Sequence, residues 1–292
     1  MRGPVNDPRA ALTVLENAPH ENLSETPPPE VLSVEEGIPG SLARMKPGEV
    51  NLLGPFAVPH LAPRLIRIYL PRAYDPERLH FGLYLFDGQN IFDDASSYSG
   101  GWHVHKVVER MAKPRRQVPV VIGIDHAGTE RIRELSPFAI EGEPGQARVL
   151  LDWITRRLMP ALLAELNLIP GPFGALIGGS SMGGLAAFWA HFHYPQAFGG
   201  ALAMSPSFWV ANQAILADVA AQPNPMVSRL YLDGGRREAR GRVVEAVQRM
   251  AEHLGERGYG PDRLLWCAAA RGTHCEASWR QRLPKALRFM YR

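Results

Sequence analysis

Two glycines flank a serine in the run Gly179-Ser180-Ser181-Met182-Gly183, with Gly184 directly after it. The run is entered from the apolar stretch Phe173-Gly174-Ala175-Leu176-Ile177 and left through Leu185-Ala186-Ala187-Phe188-Trp189. A serine hydroxyl is a weak nucleophile at neutral pH. Chemistry at one needs exposure on a tight turn, a base within reach and amide donors facing the attacked carbonyl. A strand-to-helix turn with small residues on both sides supplies the exposure. The G-x-S-x-G frame selects Ser181, because Ser180 would have Met182 where the second glycine belongs. The competing reading is a glycine-rich turn without chemistry, holding a phosphate on the helix N-terminus. The run lacks both the Gly-Lys-Ser/Thr ending of a Walker loop and the G-x-G-x-x-G of a dinucleotide fingerprint, so nucleotide binding is not supported.

A nucleophile of this kind is followed along the chain by an acid and then a histidine, both on loops at the carboxyl ends of strands. His274, in Arg271-Gly272-Thr273-His274-Cys275-Glu276, comes after the last expected strand and before the last expected helix, and is the best base. Two carboxylates compete for the role of orienting it, in Tyr231-Leu232-Asp233-Gly234-Gly235-Arg236-Arg237-Glu238. Asp233 closes a strand and is suited to backbone hydrogen bonds at the turn. Glu238 comes later with a longer reach and is preferred, with Asp233 the runner-up. The two oxyanion donors are expected to be the amide of Met182 and that of Gln89, the latter in Phe86-Asp87-Gly88-Gln89-Asn90, where Gly88 lets the backbone turn. Taken alone, Asp-Gly-Gln-Asn is also an ordinary turn signal.

Metal chemistry is not expected. His103-x-His105 and His191-x-His193 both fall on expected helices, where residues two apart point in different directions and do not converge on one ion. Cys267 and Cys275 lack the C-x-x-C spacing of a zinc or redox site and read as free thiols.

The elements that would position these groups alternate from Glu49 onward. Short apolar runs predict strands at Val50–Phe56, Leu65–Leu70, Gly82–Phe86, Val118–Ile124, Phe173–Ile177, Gly200–Met204, Arg229–Leu232 and Leu264–Ala269. Three- and four-residue periodicity predicts helices at Trp102–Met111, Arg148–Leu166, Gly184–His193, Ala211–Ala220, Arg240–Glu256 and Ala277–Tyr291, the second kinked at Pro160. The pattern is that of an α/β fold with a mostly parallel eight-stranded sheet flanked by helices.

At 292 residues and 46% hydrophobic content, the chain can bury one large core. Residues 1–47 are rich in proline, acidic and small polar residues and read as an appendage to a domain spanning residues 48–292. The formal charge of +3 and a pI near 9.0 come from mixed charges without a basic, aromatic-interleaved block, so nucleic acid is not an expected partner. No apolar run has the length of a signal core or a bilayer span, so a soluble, cytoplasmic protein with no membrane partner is expected. A homo-oligomer is left open.

The ordered motifs are similar to those of the putative-esterase (esterase D-like) family of α/β-hydrolases, which includes enterochelin esterases, feruloyl esterases and mycolyltransferases of the antigen 85 type. They include Tyr69-Leu70-Pro71-Arg72-Ala73-Tyr74-Asp75, Leu85-Phe86-Asp87-Gly88-Gln89-Asn90, Gly101-Trp102 and Arg131-Ile132-Arg133-Glu134-Leu135-Ser136. The elbow, Met204-Ser205-Pro206-Ser207-Phe208-Trp209 and Gly272-Thr273-His274-Cys275-Glu276 complete the set, which spans roughly residues 49–291. The resemblance implies an α/β-hydrolase fold, Ser181 as nucleophile, His274 as base, and Met182 and Gln89 as oxyanion amides. It also favours Glu238, three residues after the glycine matching Gly235.

The activity so implied is hydrolysis of a small or aromatic-acid carboxylic ester through an acyl-enzyme, with no cofactor. An acyltransferase using the same serine, or a non-catalytic binding protein on the same fold, are the alternatives. Trp102, Phe208 and Trp209, near loop ends, are candidates to line the pocket, although aromatic residues so placed are more often simply core. Arg131 resembles a position facing the site in relatives. It would read an anionic substrate group, unless it is spent on an ion pair with Glu130 or Glu134.

Overall fold

The computed structural model describes residues 30–97, 99–112 and 118–292. Residues 1–29 of the expected appendage lie outside them. All eight expected strands are present: β1 (Val50–Val58), β2 (Leu61–Tyr69), β3 (Gly82–Phe86), β4 (Val120–Ile124), β5 (Ala175–Ser180), β6 (Gly200–Met204), β7 (Arg229–Gly235) and β8 (Leu264–Ala269). They form one sheet in the order β1-β2-β4-β3-β5-β6-β7-β8. β1 pairs with β2 and β2 with β4 antiparallel, and every other pairing is parallel.

The burial of each strand follows from its pairing. β3, β4 and β6 are buried at every residue, as parallel strands covered on both faces must be, whereas β1 alternates between exposed and partly buried positions over most of its length. Alternate side chains of one strand serve opposite faces. Leu83 and Leu85 join the smaller core cluster, under α1 (Val104–Met111) and the C-terminal helix, and Tyr84 and Phe86 join the larger one on the other face. The larger cluster is closed by α2 (Ala147–Trp153), α3 (Met159–Leu166), α4 (Met182–His193), α5 (Ala214–Ala221) and α6 (Arg242–Glu256). The C-terminal helix is α7 (Glu276–Met290).

Two local expectations are corrected. The first helix begins at Val104, not Trp102, and His103 stands outside it as a left-handed cap residue with φ 53°, so His103 and His105 do not share a helix. The second expected helix is not α-helical throughout: it runs from Ala147 to Leu166 and widens into a π-helical turn at Ile154–Leu158, just before Pro160, whose missing amide falls where the hydrogen-bond ladder shifts.

Residues 31–45 pack on the sheet. Ser33 and Glu36 close a capping box on a single helical turn, Val34–Gly37. Val34, Ile38 and Met45 are buried in the larger core, Leu32 bridges to Phe56, and the Glu165 carboxylate accepts from the amides of Gly40 and Leu42.

The direction of chain travel across the sheet reverses beside β3: β4 is laid on one side of it and β5 on the other. Such a switch point opens a crevice at the carboxyl ends of the two diverging strands. Asp87-Gly88-Gln89 leaves β3 there and Ser181 leaves β5 there. Among the described residues, no helix is long and apolar enough to cross a membrane.

Candidate active site

Ser181 sits between β5 and α4 at φ 55°, ψ −119°, a backbone conformation that a residue with a side chain adopts only under strain. The strain is possible because the flanking residues are glycines. A methyl group on Gly179 would stand 2.7 Å from the carbonyl carbon of Gly183. Ser181 N donates to Met204 O, and Ser207 N donates to Ser181 O, which fixes the elbow to the end of β6. Met182 opens α4, so its amide is among those a helix leaves without an internal partner.

The loop after β3 is equally constrained. Asp87 is left-handed at φ 59°, and Gly88–Ile91 forms one helical turn. A methyl group at Gly88 would lie 2.4 Å from Asp125 Oδ1 and 2.8 Å from the Gly123 carbonyl carbon, so the close approach to β4 needs glycine. The Gln89 side chain binds the backbone of His126 twice, donating to its carbonyl at 3.3 Å and accepting from its amide at 3.1 Å. Ser96 Oγ donates to Gln89 O at 2.7 Å. The loop carrying the second expected donor is thereby tied at its side chain and at its carbonyl.

The carboxylate bonded to His274 is that of Glu238. Its Oε2 lies 2.8 Å from Nδ1 of the imidazole, and its Oε1 accepts from Gly235 N at 2.7 Å and Ser205 Oγ at 2.8 Å, with Arg282 Nη1 at 3.3 Å. An ionised carboxylate only accepts, so the proton is on Nδ1 and Nε2 keeps its lone pair. Burial pushes the Glu238 carboxyl up. The bonds and charge of His274, the Ser205 hydroxyl and Arg282 more than offset this and hold it below the ordinary carboxylate value. Asp233 is turned elsewhere. It is fully buried, accepts from Tyr231 OH and Ser205 N, and stands 3.1 Å from Arg282 Nε. Burial raises its carboxyl to about 6, against the lowering effects of Arg282, Tyr231 and the Ser205 amide.

Sequence reasoning assigned no role to Ser205 or Arg282. The Ser205 hydroxyl donates to Glu238 and accepts from Trp279 Nε1 at 3.0 Å and Arg282 Nη2 at 2.8 Å. Arg282, one and a half turns into α7, bridges both carboxylates. The signal for it was the pair of acids itself, since two carboxylates buried at one strand end require a cation. Trp279 also sets its ring edge-on to His274, with centroids 5.0 Å apart. The Ser181 hydroxyl is engaged by Ser207 Oγ at 3.2 Å, and Ser181 and His274 are not hydrogen-bonded to each other in this arrangement.

Of the residues read as possible substrate contacts, two lie in the core and one makes an ion pair with a partner other than those expected. Arg131 pairs with neither Glu130 nor Glu134: its Nε and Nη2 bond Asp87 Oδ1 and Oδ2 at 2.6 and 2.7 Å. Trp102 and Phe208 are 1% and 2% exposed and belong to the core, against Trp279 and Phe188 respectively. Trp209 is half exposed, two residues beyond Ser207. His191 and His193 diverge to Ser228 and Asp218, and no metal-like cluster occurs among the described residues.

Residues 62–290 match the family described as "Putative esterase". The chain belongs to that family. Among curated proteins it is similar to an iron(III) enterobactin esterase of Dickeya dadantii, 30% identical over 173 residues, covering 52% of this chain and 38% of that protein. The chain thus spans well under half the length of this relative. Among solved structures it is similar to the BES protein of Bacillus cereus, with TM-score 0.69, 20% identity, and 85% of this chain and 97% of that one covered. It is also similar to the siderophore hydrolase EstA of Aspergillus nidulans, with TM-score 0.67, 20% identity, and coverage of 85% and 96%. At these identities the structural likeness establishes the α/β-hydrolase fold. Within the family match lie every residue of the serine turn, the loop after β3 and the His274 cluster.

Proposed function

We propose that this family member is a serine carboxylic ester hydrolase working through an acyl-enzyme, with Ser181 as nucleophile, His274 as base and Glu238 as its orienting acid. The observation that carries the reading is the Glu238–His274 bond at 2.8 Å, formed at the same end of the sheet as the strained serine. With Nδ1 committed to Glu238, Nε2 is the atom that takes a proton.

On binding an ester, the Ser181 hydroxyl swings from Ser207 to Nε2 of His274, a contact of the kind that tightens when substrate is bound. Its proton passes to Nε2 as Oγ bonds the carbonyl carbon. The developing oxyanion is held by the amides of Met182 and Gln89, each such donor being worth about 3 kcal/mol in the transition state. His274 gives its proton to the departing alcohol as the carbon–oxygen bond breaks. Water, deprotonated by His274, then cleaves the acyl-enzyme and releases the acid. The half-exposed Trp209 supplies an aromatic face at the mouth of the site, which suits a small or aromatic-acid ester.

The test is a panel of nitrophenyl, feruloyl and acetylated-sugar esters together with iron(III) enterobactin, the last because a relative is named for it. Wild type is expected to hydrolyse at least one aromatic or nitrophenyl ester, and Ser181→Ala to lose about 10³-fold or more in kcat. Equal turnover by Ser181→Ala would refute the serine mechanism. Products recovered with and without an added alcohol acceptor separate hydrolysis from acyl transfer.

A further inference from the structure

We propose that Arg131 serves the oxyanion site through Asp87, as the counter-charge that neutralises a carboxylate buried directly beneath the two donor amides. The inference rests on the serine hydrolase reading and assigns Arg131 a positioning role in place of substrate recognition.

Asp87 is an awkward residue to find where it is. It directly follows β3, two residues before Gln89, and is 3% exposed. It also reaches the elbow: a methyl group at Gly183, next to Met182, would stand 3.1 Å from Asp87 Oδ2. The carboxylate therefore lies between the owners of both expected oxyanion donors. A fixed negative charge there opposes the charge that develops on the substrate oxygen, and it consumes the positive potential of the α4 N-terminus.

The guanidinium of Arg131 answers this with two parallel hydrogen bonds, at 2.6 and 2.7 Å, from a side chain that is itself 14% exposed. Such a paired geometry binds the carboxylate plane as well as its charge, and so fixes the left-handed turn at Asp87 from which Gly88 and Gln89 depart. Burial pushes the Asp87 carboxyl up, but the charge and bonds of Arg131, helped by His126, bring it below the ordinary carboxylate value. No neighbour can replace Arg131. Asp125 and His126 face Asp87 from the end of β4, but Arg67 is bound to Asp125 and Arg64 to Glu134. Glu276, at the start of α7, adds negative charge near Arg131.

The experiment uses a neutral nitrophenyl ester, on which an anion-reading arginine would have nothing to read. Arg131→Met is expected to lower kcat about 100-fold with KM within about twofold of wild type. The deficit relative to wild type at the same pH should shrink on acidification, because the unpaired, buried Asp87 carboxyl then takes up a proton and its charge disappears. Asp87→Asn/Arg131→Met is expected to recover at least tenfold of the lost kcat, since the offending charge is gone along with its partner. Asp87→Asn alone should lose far less than Arg131→Met. If Arg131→Met does not fold, the other two variants still decide the matter. A raised KM at unchanged kcat, a defect confined to anionic esters, or a double variant as slow as wild type stripped of Arg131 would overturn the proposal. So would a loss in Asp87→Asn as large as that predicted for Arg131→Met. Ser181→Ala assayed in parallel isolates the underlying reading: turnover retained there refutes the serine mechanism, whatever Arg131 does.

Discussion

Two histidines in this protein are held by short hydrogen bonds at opposite ends of the sheet, and on the proposed reading only one is the base. His191 Nε2 lies 2.6 Å from Ser228 Oγ, just before the start of β7. His274 is held at 2.8 Å by Glu238, beyond the other end of that strand. On distance alone, the first pair is a serine and a histidine in better contact than Ser181 and His274. Yet the Ser228 hydroxyl also donates to Tyr259 OH at 3.0 Å, and the whole group is buried away from solvent. Burial drives the His191 imidazole down to about 3; a backbone bond at Phe198 opposes this and the Arg263 charge adds to it. No carboxylate is bonded to His191, whereas His274 has Glu238 on one nitrogen and is 42% exposed. Adjacency of hydroxyl and imidazole is therefore not what makes a site. The tautomer imposed by a carboxylate, access from solvent and a strained serine at the carboxyl ends of the strands are what separate the two.

The contrast is most sharply tested at the acid. Glu238→Gln is expected to lower kcat about 10³-fold on a nitrophenyl ester, because an amide can donate to Nδ1 and turn the imidazole to the wrong tautomer. Asp233→Asn should lose less than about tenfold, and the reverse ranking would give Asp233 the catalytic role. At the other end the effect is on stability. The folded value of His191 lies below its unfolded value of 6.5, so the unfolded chain binds the proton first as pH falls. Stability supplied by this group is complete above 6.5 and is lost progressively towards about 3, at up to about 1.4 kcal/mol per pH unit. Urea unfolding from pH 7 to pH 4 should show that part of the slope disappearing in His191→Gln; an unchanged slope would mean His191 is protonated in the folded state. The smallest effect is expected for Ser228→Ala, with kcat within about twofold and a melting temperature lower by about 2–4 °C. A large loss of turnover there would erase the distinction between the two ends.

Much of the arrangement is legible in the sequence because it is written in local terms. The glycines around Ser181 mark the elbow since only they tolerate its backbone crossing, and the strands announce themselves as apolar runs between turn residues. What escapes is whatever depends on contacts far apart in the chain. Arg131 has acids one and three residues away, and its partner is Asp87, 44 positions earlier. Trp102 and Phe208 look the same in sequence as Trp209, and only their packing against Trp279 and Phe188, far away in the chain, distinguishes the first two as core. Ser205 is a plain serine until Glu238, Trp279 and Arg282 converge on it. Pro160 predicts a disturbance, but the π-helical turn that absorbs it depends on how the helix packs.

The short stretch ahead of β1 has a bearing on how the protein can be handled. Leu32 takes a hydrogen bond from Ala57 and gives one to Pro55, so it occupies part of the outer edge of the sheet, while Val34, Ile38 and Met45 roof over Phe56 and its neighbours. A version trimmed to start at β1 would keep every residue of the site. It would also bare an apolar groove next to open strand backbone, the combination that lets one molecule template onto the next. Trimming for crystallisation or expression should therefore stop short of Leu32, since deposits of inactive protein from a shorter version would reflect sticky edges, not damaged chemistry.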